Sequence, residues 1–261
     1  MRRHLVFYIN GQRQTVEGSL VFASLTDYLR QTLQLTGTKV VCAEGDCGSC
    51  SVLLGKPADG KMVYEPVCGC IKRLFQLDGT HIVTVEGLSY NRQLNPVQES
   101  MARCHGAQCG YCTPGFVVTM HQLLDDGRPK EEALIRRKLT GNLCRCTGYE
   151  PILRAAAETD LAAMKSIKTL YPPGQWSQDL AAAANEPVLI ETAEKIFFKP
   201  TSLEAAAEFR GRHAECLVVA GGTDVGVVMN KRGLSAAVTM STHAIAGFDA
   251  VECNDNVIRI G

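Results

Sequence analysis

The residues in this chain with the clearest capacity for chemistry are its cysteines. The sequence has 261 residues and 12 cysteines, and ten of these cysteines lie within residues 42–146. They are too sparse for a disulfide scaffold. In a cytosolic chain, clustered cysteines are more often metal ligands or catalytic groups than disulfides. The thiols therefore predict metal sites in the first part of the chain.

The first set of cysteines has the spacing Cys42-x4-Cys47-x2-Cys50, with Cys68 and Cys70 further along the chain. This spacing is typical of plant-type [2Fe–2S] sites. A two-iron cluster needs four thiolates from several directions, so a tight loop supplies three and a distant segment the fourth. If Cys68 and Cys70 lie on a strand, both face the same side. Spacing alone does not decide between them.

The second set of cysteines is Cys109-x2-Cys112 followed by Cys144-x-Cys146. A Cys-x2-Cys pair is also typical of zinc sites and of redox dithiols. The later Cys-x-Cys pair closes a helical unit and supplies two more thiolates, which favours a second cluster. Zinc fits the first set poorly, because zinc sites favour paired Cys-x2-Cys motifs.

Two small units are predicted to position these cysteines. Asn10-Gly11 between β-prone runs predicts a hairpin, and Ser24 is a suitable N-cap for a helix ending near residue 33. Strand patterns at residues 51–54 and 81–85 complete an α+β unit around the first loop. The next unit is helical, and its predicted helices cover residues 96–103, 114–124, 130–139 and 150–164.

The later part of the chain is harder to interpret. Residues 166–192 are predicted to form an extended linker with one helical piece at the alanine run. A third unit follows, with a helix over 202–210, a strand over 216–220 and a tight turn at 221–224. Cys104, Cys216 and Cys253 are left as packing thiols.

Composition excludes several classes of function. Lys and Arg number 27, and so do Asp and Glu. This balance argues against a nucleic-acid or an acidic-membrane partner. No apolar run approaches the roughly 20 residues of a membrane-spanning helix, and the short apolar run after the basic start does not suit a signal peptide. We therefore expect a cytoplasmic location.

Four motifs, in this order, resemble the xanthine dehydrogenase/aldehyde oxidase family of molybdenum hydroxylases. They are CAEGDCGSC at 42–50, VTVEGL at 83–88, HGAQCGYCTPG at 105–115 and GNLCRCTGY at 141–149. Two later stretches are similar to the start of the family's FAD-binding domain: residues 198–203 and 218–226.

The resemblance implies an α+β chain of three domains. These are a β-grasp ferredoxin-like domain over 1–90, a four-helix [2Fe–2S]-binding domain over 91–165 and, after the linker over 166–192, the start of an α/β FAD-binding domain of the PCMH type over 193–261. This order is similar to that of the small subunits of bacterial xanthine dehydrogenases. The family's flavin domain continues well beyond this length, so we expect a truncated chain with an incomplete FAD site.

The resemblance also implies roles for individual residues. The fourth ligand of the family's first cluster lies at the position of Cys70, which leaves Cys68 as a packing thiol. A glutamine that hydrogen-bonds the pterin of the molybdenum cofactor lies at Gln108. The glycine turn approaches the FAD diphosphate, where glycines permit backbone amides to contact phosphate. The implied cluster ligands are Cys42, Cys47, Cys50 and Cys70 for the first cluster, and Cys109, Cys112, Cys144 and Cys146 for the second; the diphosphate loop is Ala220, Gly221, Gly222, Thr223, Asp224 and Val225.

The implied function is electron transfer. A partner large subunit would carry the molybdenum cofactor and hydroxylate a purine, and electrons would pass through the two clusters and FAD to NAD⁺. No catalytic residue for the purine chemistry is expected in this chain, and we expect a heterodimer or a dimer of heterodimers. The alternatives are an aldehyde, carbon monoxide or an aromatic acyl-CoA as substrate, or a zinc-binding structural module.

Overall fold

The structure is a computed structural model that describes residues 1–58, 60–91, 93–127, 130–254 and 256–260. The first unit is a five-stranded sheet with the order β2-β1-β5-β3-β4. The predicted hairpin at Asn10-Gly11 is confirmed, since both residues have positive φ, as a two-residue hairpin turn requires. The strands are β1 (Leu5–Ile9), β2 (Gln12–Val16), β3 (Ser51–Ala58), β4 (Lys61–Cys68) and β5 (His81–Val83).

A short helix covers one face of this sheet. Helix α1 (Leu25–Asp27) begins after Ser24, whose hydroxyl accepts a hydrogen bond from the amide of Asp27 at 3.0 Å. The helix continues as a π-helical turn over Tyr28–Thr32. Apolar side chains from this helix pack on β1 and on the turns before β5, and the core includes Leu5, Phe7, Ile9, Leu25, Leu29, Leu74 and Phe75. The predicted β-grasp arrangement is confirmed.

The second unit contains the four predicted helices, with one boundary corrected. They are α2 (Pro96–Arg103), α3 (Thr113–Asp125), α4 (Glu132–Lys138) and α5 (Glu150–Ala157). Helix α5 was expected to reach Met164. It ends earlier because the side chain of Asp160 accepts hydrogen bonds from the amides of Ala162 and Ala163, which competes with helical hydrogen bonding.

The stretch 166–192 is largely regular, so the expectation of an extended linker is wrong for much of it. It contains α6 (Ile167–Leu170), α7 (Gln175–Ala184), where a helical piece was predicted, and the strand β6 (Val188–Glu191). Trp176 on α7 packs against the ring of His81, with ring centroids 5.0 Å apart. The segment takes up regular structure because α7 covers a face of the first sheet, where it contacts β1 and β3.

The third unit has a four-stranded sheet with the order β6-β7-β9-β8. Thr223 and Asp224, expected in a tight turn, form instead the first turn of a helix that starts after Gly222. The exposed hairpin at the end leaves Cys253 at the surface, so the prediction that it is a packing thiol is wrong. The further elements are β7 (Ile196–Lys199), α8 (Leu203–Arg212), β8 (Leu217–Val219), α9 (Thr223–Arg232), β9 (Val238–Ser241), β10 (Val251–Asn254) and β11 (Val257–Ile260).

A buried group of charges joins the third unit to the first. The carboxylate of Asp78 accepts two hydrogen bonds from Arg2, at 2.8 and 2.9 Å, and one from Lys199 at the end of β7. The side chains of Asp78 and Lys199 are fully buried, and Lys199 also donates to the backbone carbonyl of Ala183 at 2.8 Å. Buried charges are tolerated only when paired, so this network fixes how the two units meet.

None of the helices in the described residues is long and apolar enough to cross a membrane.

Candidate functional site

The first cysteine site is built on the irregular loop between α1 and β3. Within residues 42–50 of this loop three positions have positive φ, namely Ala43, Gly45 and Gly48, so the chain turns tightly there. The amides of Glu44 and Cys47 each donate to the sulfur of Cys42 at 3.5 Å. Burial raises the pKa of Cys42, but these amides more than offset it and lower the pKa to about 7. The loop therefore stabilises a thiolate.

The thiols of this site form two groups. The side chain of Cys42 contacts that of Cys47, and the side chain of Cys50 contacts those of Cys68 and Cys70. Cys68 is the last residue of β4, whereas Cys70 lies in a 3₁₀ turn over Gly69–Ile71. The idea that both face one side of a strand is therefore wrong, because the strand ends between them.

Cys68 and Cys70 differ in their surroundings. Cys70 is 2% exposed and receives a hydrogen bond from the backbone of Gly45. The thiol of Cys68 donates instead to the carbonyl oxygen of Gly45 at 3.4 Å. Both sulfurs reach the site. Their contact with Cys50 lowers the pKa of the Cys68 thiol and raises the pKa of the Cys70 thiol, so the hydrogen bonds with Gly45 do not select the fourth ligand. The preference for Cys70 as fourth ligand stays a prediction.

The second cysteine site lies where α3 begins and where the chain turns into α5. The sulfurs of Cys109 and Cys146 are 3.5 Å apart, and the side chain of Cys112 contacts that of Cys144. Cys112 is the residue before α3, so one ligand is anchored to a helix. The amide of Cys144 donates to the hydroxyl of Tyr149 at 3.0 Å, which holds the Cys-x-Cys turn in place.

The second site is open at the surface. Cys109 and Cys146 are exposed, and the neighbouring Tyr111 and Leu143 are 57% and 46% exposed. Gln108 is exposed beside them. A cavity of about 660 Å³ runs along this face and is lined by residues of both sites, including Cys47, Ser49, Cys112 and Cys144.

The two cysteine sites are in direct contact through their loops. The amide of Leu143 donates to the carbonyl of Cys47 at 3.0 Å, and the side-chain amide of Asn142 donates to the carbonyl of Gly48 at 3.0 Å. A Cβ atom at Gly48 would lie 2.2 Å from the carbonyl oxygen of Gly141. Glycine is therefore required at this contact by the close approach of the backbones as well as by its positive φ.

The predicted glycine turn with its flanking residues, Ala220–Val225, begins exposed and covers the connection between β8 and α9 together with the first three residues of α9. Lys72 and Gln76 of the first unit both donate to the carbonyl of Gly221, at 2.8 and 3.2 Å. In a trans peptide the following N–H points the opposite way, so the amide of Gly222 faces away from the first unit. Together with the N-terminus of α9, it can contact an anion such as a diphosphate.

One feature of the first site was missed by sequence reasoning. Helix α9 of the third unit packs directly on the first cysteine site, with Val227 against the buried group that contains Cys50 and Cys70. No spacing or composition signal reveals this contact, because the residues are more than 150 positions apart in the chain.

Each cysteine site therefore fits a two-iron cluster by the chemistry of its donors. In the described part of the chain, no group of three or more His, Cys, Asp or Glu side chains is arranged to hold a single metal ion. In the second site the thiols are grouped two and two, and in the first Cys42 meets Cys47 while Cys50 meets both Cys68 and Cys70. A [2Fe–2S] cluster takes four thiolates, two for each iron.

Family models match all three units of the chain. A 2Fe-2S iron-sulfur cluster binding domain matches residues 7–70, and a [2Fe-2S] binding domain matches residues 84–157. The FAD binding domain in molybdopterin dehydrogenase matches residues 191–261. Among solved structures, the quinoline 2-oxidoreductase from Pseudomonas putida 86 is 38% identical with a TM-score of 0.53, and the match covers 61% of this chain and 93% of that one.

The chain belongs to the xanthine dehydrogenase/aldehyde oxidase family of molybdenum hydroxylases. It is 32% identical to xanthine dehydrogenase 2 of Arabidopsis thaliana over 98% of its length and 31% identical to aldehyde oxidase 1 of Bos taurus over 98%. It spans 23% and 22% of those relatives. Within this family, the chain is the region of two [2Fe–2S] domains followed by an FAD-binding domain, as the sequence predicted.

Proposed function

We propose that this chain is the electron-transfer part of a xanthine dehydrogenase. Electrons from a molybdenum site in a partner subunit would pass through the second cluster, the first cluster and FAD to NAD⁺. The observation that carries this proposal is the chain of direct contacts from the second cysteine site to the first and from the first to helix α9, which starts at the glycine turn. The three sites thus lie in the order that the electron path needs.

The proposed ligands follow from the paired thiols. Cys42 and Cys47 would hold one iron of the first cluster, and Cys50 and Cys70 the other, as their contacts suggest. In the second cluster, the pairs would be Cys109 with Cys146 and Cys112 with Cys144. The eight proposed ligands of the two clusters are Cys42, Cys47, Cys50, Cys70, Cys109, Cys112, Cys144 and Cys146.

The protein's part in electron transfer is to fix the carriers close together. When bound, the clusters supply one-electron carriers and FAD exchanges between one-electron and two-electron transfer. The hydrogen bond from the amide of Leu143 to the carbonyl of Cys47 joins a neighbour of one second-site ligand, Cys144, to a first-site ligand. This is a short covalent and hydrogen-bonded route between the two sites.

The partner subunit would dock on the open face of the second site. Tyr111 and Leu143 offer exposed apolar surface there, and contiguous exposed apolar residues often mark interfaces. Gln108 is exposed at the same face, so its side-chain amide is free to hydrogen-bond a pterin of the molybdenum cofactor. We propose a heterodimer or a dimer of heterodimers in the cytoplasm.

The glycine turn would hold the FAD diphosphate. The backbone around Gly221, Gly222 and Thr223 is accessible, and the donors on the carbonyl of Gly221 orient the next amide outward. The flanking Ala220, Asp224 and Val225 complete the loop. The amides at the start of α9 have no helical partner and are available to phosphate oxygens.

The carriers are tested by metal analysis and electron paramagnetic resonance. Purified without oxygen, the chain should be red-brown and, once reduced, show two distinct [2Fe–2S] signals with about four irons per chain. A colourless protein with about two zinc ions per chain would instead support the structural zinc module.

The substrate is tested on the complex with its molybdenum-containing partner. We propose a purine, with NAD⁺ as acceptor, and the relatives include both xanthine dehydrogenases and aldehyde oxidases. Turnover of hypoxanthine with reduction of NAD⁺, and little turnover of aldehydes, is the expected result. The reverse preference would make aldehyde the substrate and leave the electron path unchanged.

A further inference from the structure

We propose that Asn230 on α9 is a positioning residue that fastens the two ligand-bearing segments of the first cluster to the flavin-binding unit. The inference rests on the proposed electron path. It adds a residue from the third unit to a site that the cysteine motifs place wholly in the first.

The side chain of Asn230 bridges both halves of the first site. Its Nδ2 donates to the carbonyl of Ala43, which follows Cys42 in the loop, at 2.9 Å. The same nitrogen donates to the carbonyl of Cys70 at 2.9 Å. One amide group thus connects the loop that carries three thiols with the turn that carries the proposed fourth.

The orientation of this amide is set by a neighbour in the first unit. A guanidinium N–H of Arg73 donates to Oδ1 of Asn230 at 2.6 Å. Guanidinium nitrogens can only donate, so the oxygen must face Arg73 and the NH₂ group must face the two carbonyls. The role needs a side chain with two donors and an acceptor on one planar group, which Asn provides and Asp does not.

The rest of α9 is shaped for close contact with the same site. Gly226 lies one turn before Asn230, and a Cβ atom there would be 2.2 Å from the carbonyl oxygen of Ile71. Val227 packs on the buried thiols, and Lys231 forms an ion pair with Glu44 of the cysteine loop at 3.2 Å. Residues three and four apart lie on one helix face, so the face that holds Asn230 is pressed against the site.

This placement connects two cofactors through one rigid element. The helix that carries Asn230 begins at the glycine turn proposed for the FAD diphosphate. Loss of the Asn230 hydrogen bonds would leave the carbonyls of Ala43 and Cys70 without these donors and loosen the loop whose amides donate to Cys42. Hydrogen bonding around the ligands tunes a cluster and its stability, so the first cluster should respond and the second should not.

The test compares Asn230→Ala, Asn230→Asp and a control, Asn185→Ala, in the full 261-residue chain loaded with iron. Asn185 also donates to a backbone carbonyl, that of Ala181, but far from the thiols on an exposed helix end. The readouts are the electron paramagnetic resonance spectrum of each reduced cluster, the midpoint potential of each cluster, and the rate at which each cluster is lost to an iron chelator. The second cluster is an internal reference in every sample.

With Asn230→Ala we expect the signal and potential of the first cluster to shift. Loss of this cluster to the chelator should accelerate about tenfold, as expected for removal of a partly buried hydrogen-bonded group. Asn230→Asp keeps the acceptor for Arg73 but removes the donors, so it should be at least as impaired.

Three results would overturn the proposal. They are a first cluster in Asn230→Ala that behaves as in Asn185→Ala, normal behaviour in Asn230→Asp, or an equal change in both clusters, which would indicate general destabilisation. A wild-type chain without two cluster signals is a different failure, because it would remove the electron path itself.

Discussion

The two cysteine sites have the same chemistry but opposite surroundings. In the first, Cys47, Cys50 and Cys70 are buried, and a helix from the third unit packs on them. In the second, Cys109 and Cys146 are exposed. The first site is thus enclosed by this chain, whereas the second is exposed on one side.

This difference shows which contacts each site depends on. The enclosure of the first depends on contacts within the chain, above all those between the first and third units. The second site is exposed with apolar neighbours, which fits a face covered by the proposed partner. Exposed thiolates are also the more readily oxidised ones, so without a cover the second cluster should be the first to be lost in air.

The largest expected effect is loss of a whole cluster. Cys70→Ser should abolish the first [2Fe–2S] signal, since the proposed fourth thiolate is removed, while Cys68→Ser should leave it. Electron paramagnetic resonance spectra of the reduced variants show which cysteine is the ligand, with the signal of the second cluster as the reference. If Cys68→Ser loses the first signal and Cys70→Ser keeps it, the ligand assignment is wrong.

The next largest effect is expected from breaking the buried charge network that joins the third unit to the first. Asp78→Ala leaves Lys199 and Arg2 without their buried partner, and breaking such a pair costs about 3–5 kcal/mol. We expect the free energy of unfolding by urea to fall by this amount and the first cluster to become as accessible to a chelator as the second.

The matched control for Asp78 is an exposed ion pair. Glu208 pairs with Arg212 at 3.5 Å, with 72% and 66% of the two side chains exposed, and loss of such a pair costs about 0–1 kcal/mol. An equal destabilisation in Asp78→Ala and Glu208→Ala would mean that the buried network does not hold the units together.

Acid should destabilise both cysteine units through one buried histidine each. Burial lowers the pKa of His81 in the first unit and of His121 in the second to about 4, from 6.5. Between pH 6.5 and about 4, these two histidines therefore bind fewer protons in the folded protein than in the unfolded chain. Stability is complete above pH 6.5 and falls as the pH drops toward 4, by roughly 2 kcal/mol per histidine at pH 5. Urea unfolding at pH 7.5 and pH 5 measures this.

The two histidines should respond differently to substitution. His81 accepts a hydrogen bond from the amide of Gly11 at 3.1 Å and pairs with the hydroxyl of Tyr64 at 2.6 Å. Among the described residues, neither ring nitrogen of His121 has a hydrogen-bond partner. His121→Leu should therefore remove its share of the acid sensitivity at little cost, whereas His81→Leu should destabilise the chain at neutral pH by about 1–3 kcal/mol. Equal costs at neutral pH would contradict this difference.

The smallest expected effect on this chain is at the open face. Tyr111→Ser changes an exposed side chain, so the free energy of unfolding should change by less than about 0.5 kcal/mol. Association with the molybdenum-containing partner, measured by calorimetry or size-exclusion chromatography, should weaken clearly. Unchanged association would mean that the partner does not cover this face.

The sequence by itself determined the features that are local in the chain. The Cys-x4-Cys-x2-Cys loop, the Asn10-Gly11 hairpin and the capped helix at Ser24 each depend on residues a few positions apart. Turn and cap preferences act over such distances, so these elements could be predicted. The order of the motifs also carried the family, since four separate motifs in one order are specific.

Only the tertiary structure decided how these pieces meet. The strand that ends between Cys68 and Cys70, the regular structure within 166–192, and the bridge from Asn230 to the first site all depend on contacts between distant segments. Such contacts form where packing and hydrogen-bond satisfaction of the whole chain are best, and that balance leaves no periodic or spacing signal. The same reason explains why two similar cysteine sets give one enclosed and one open site.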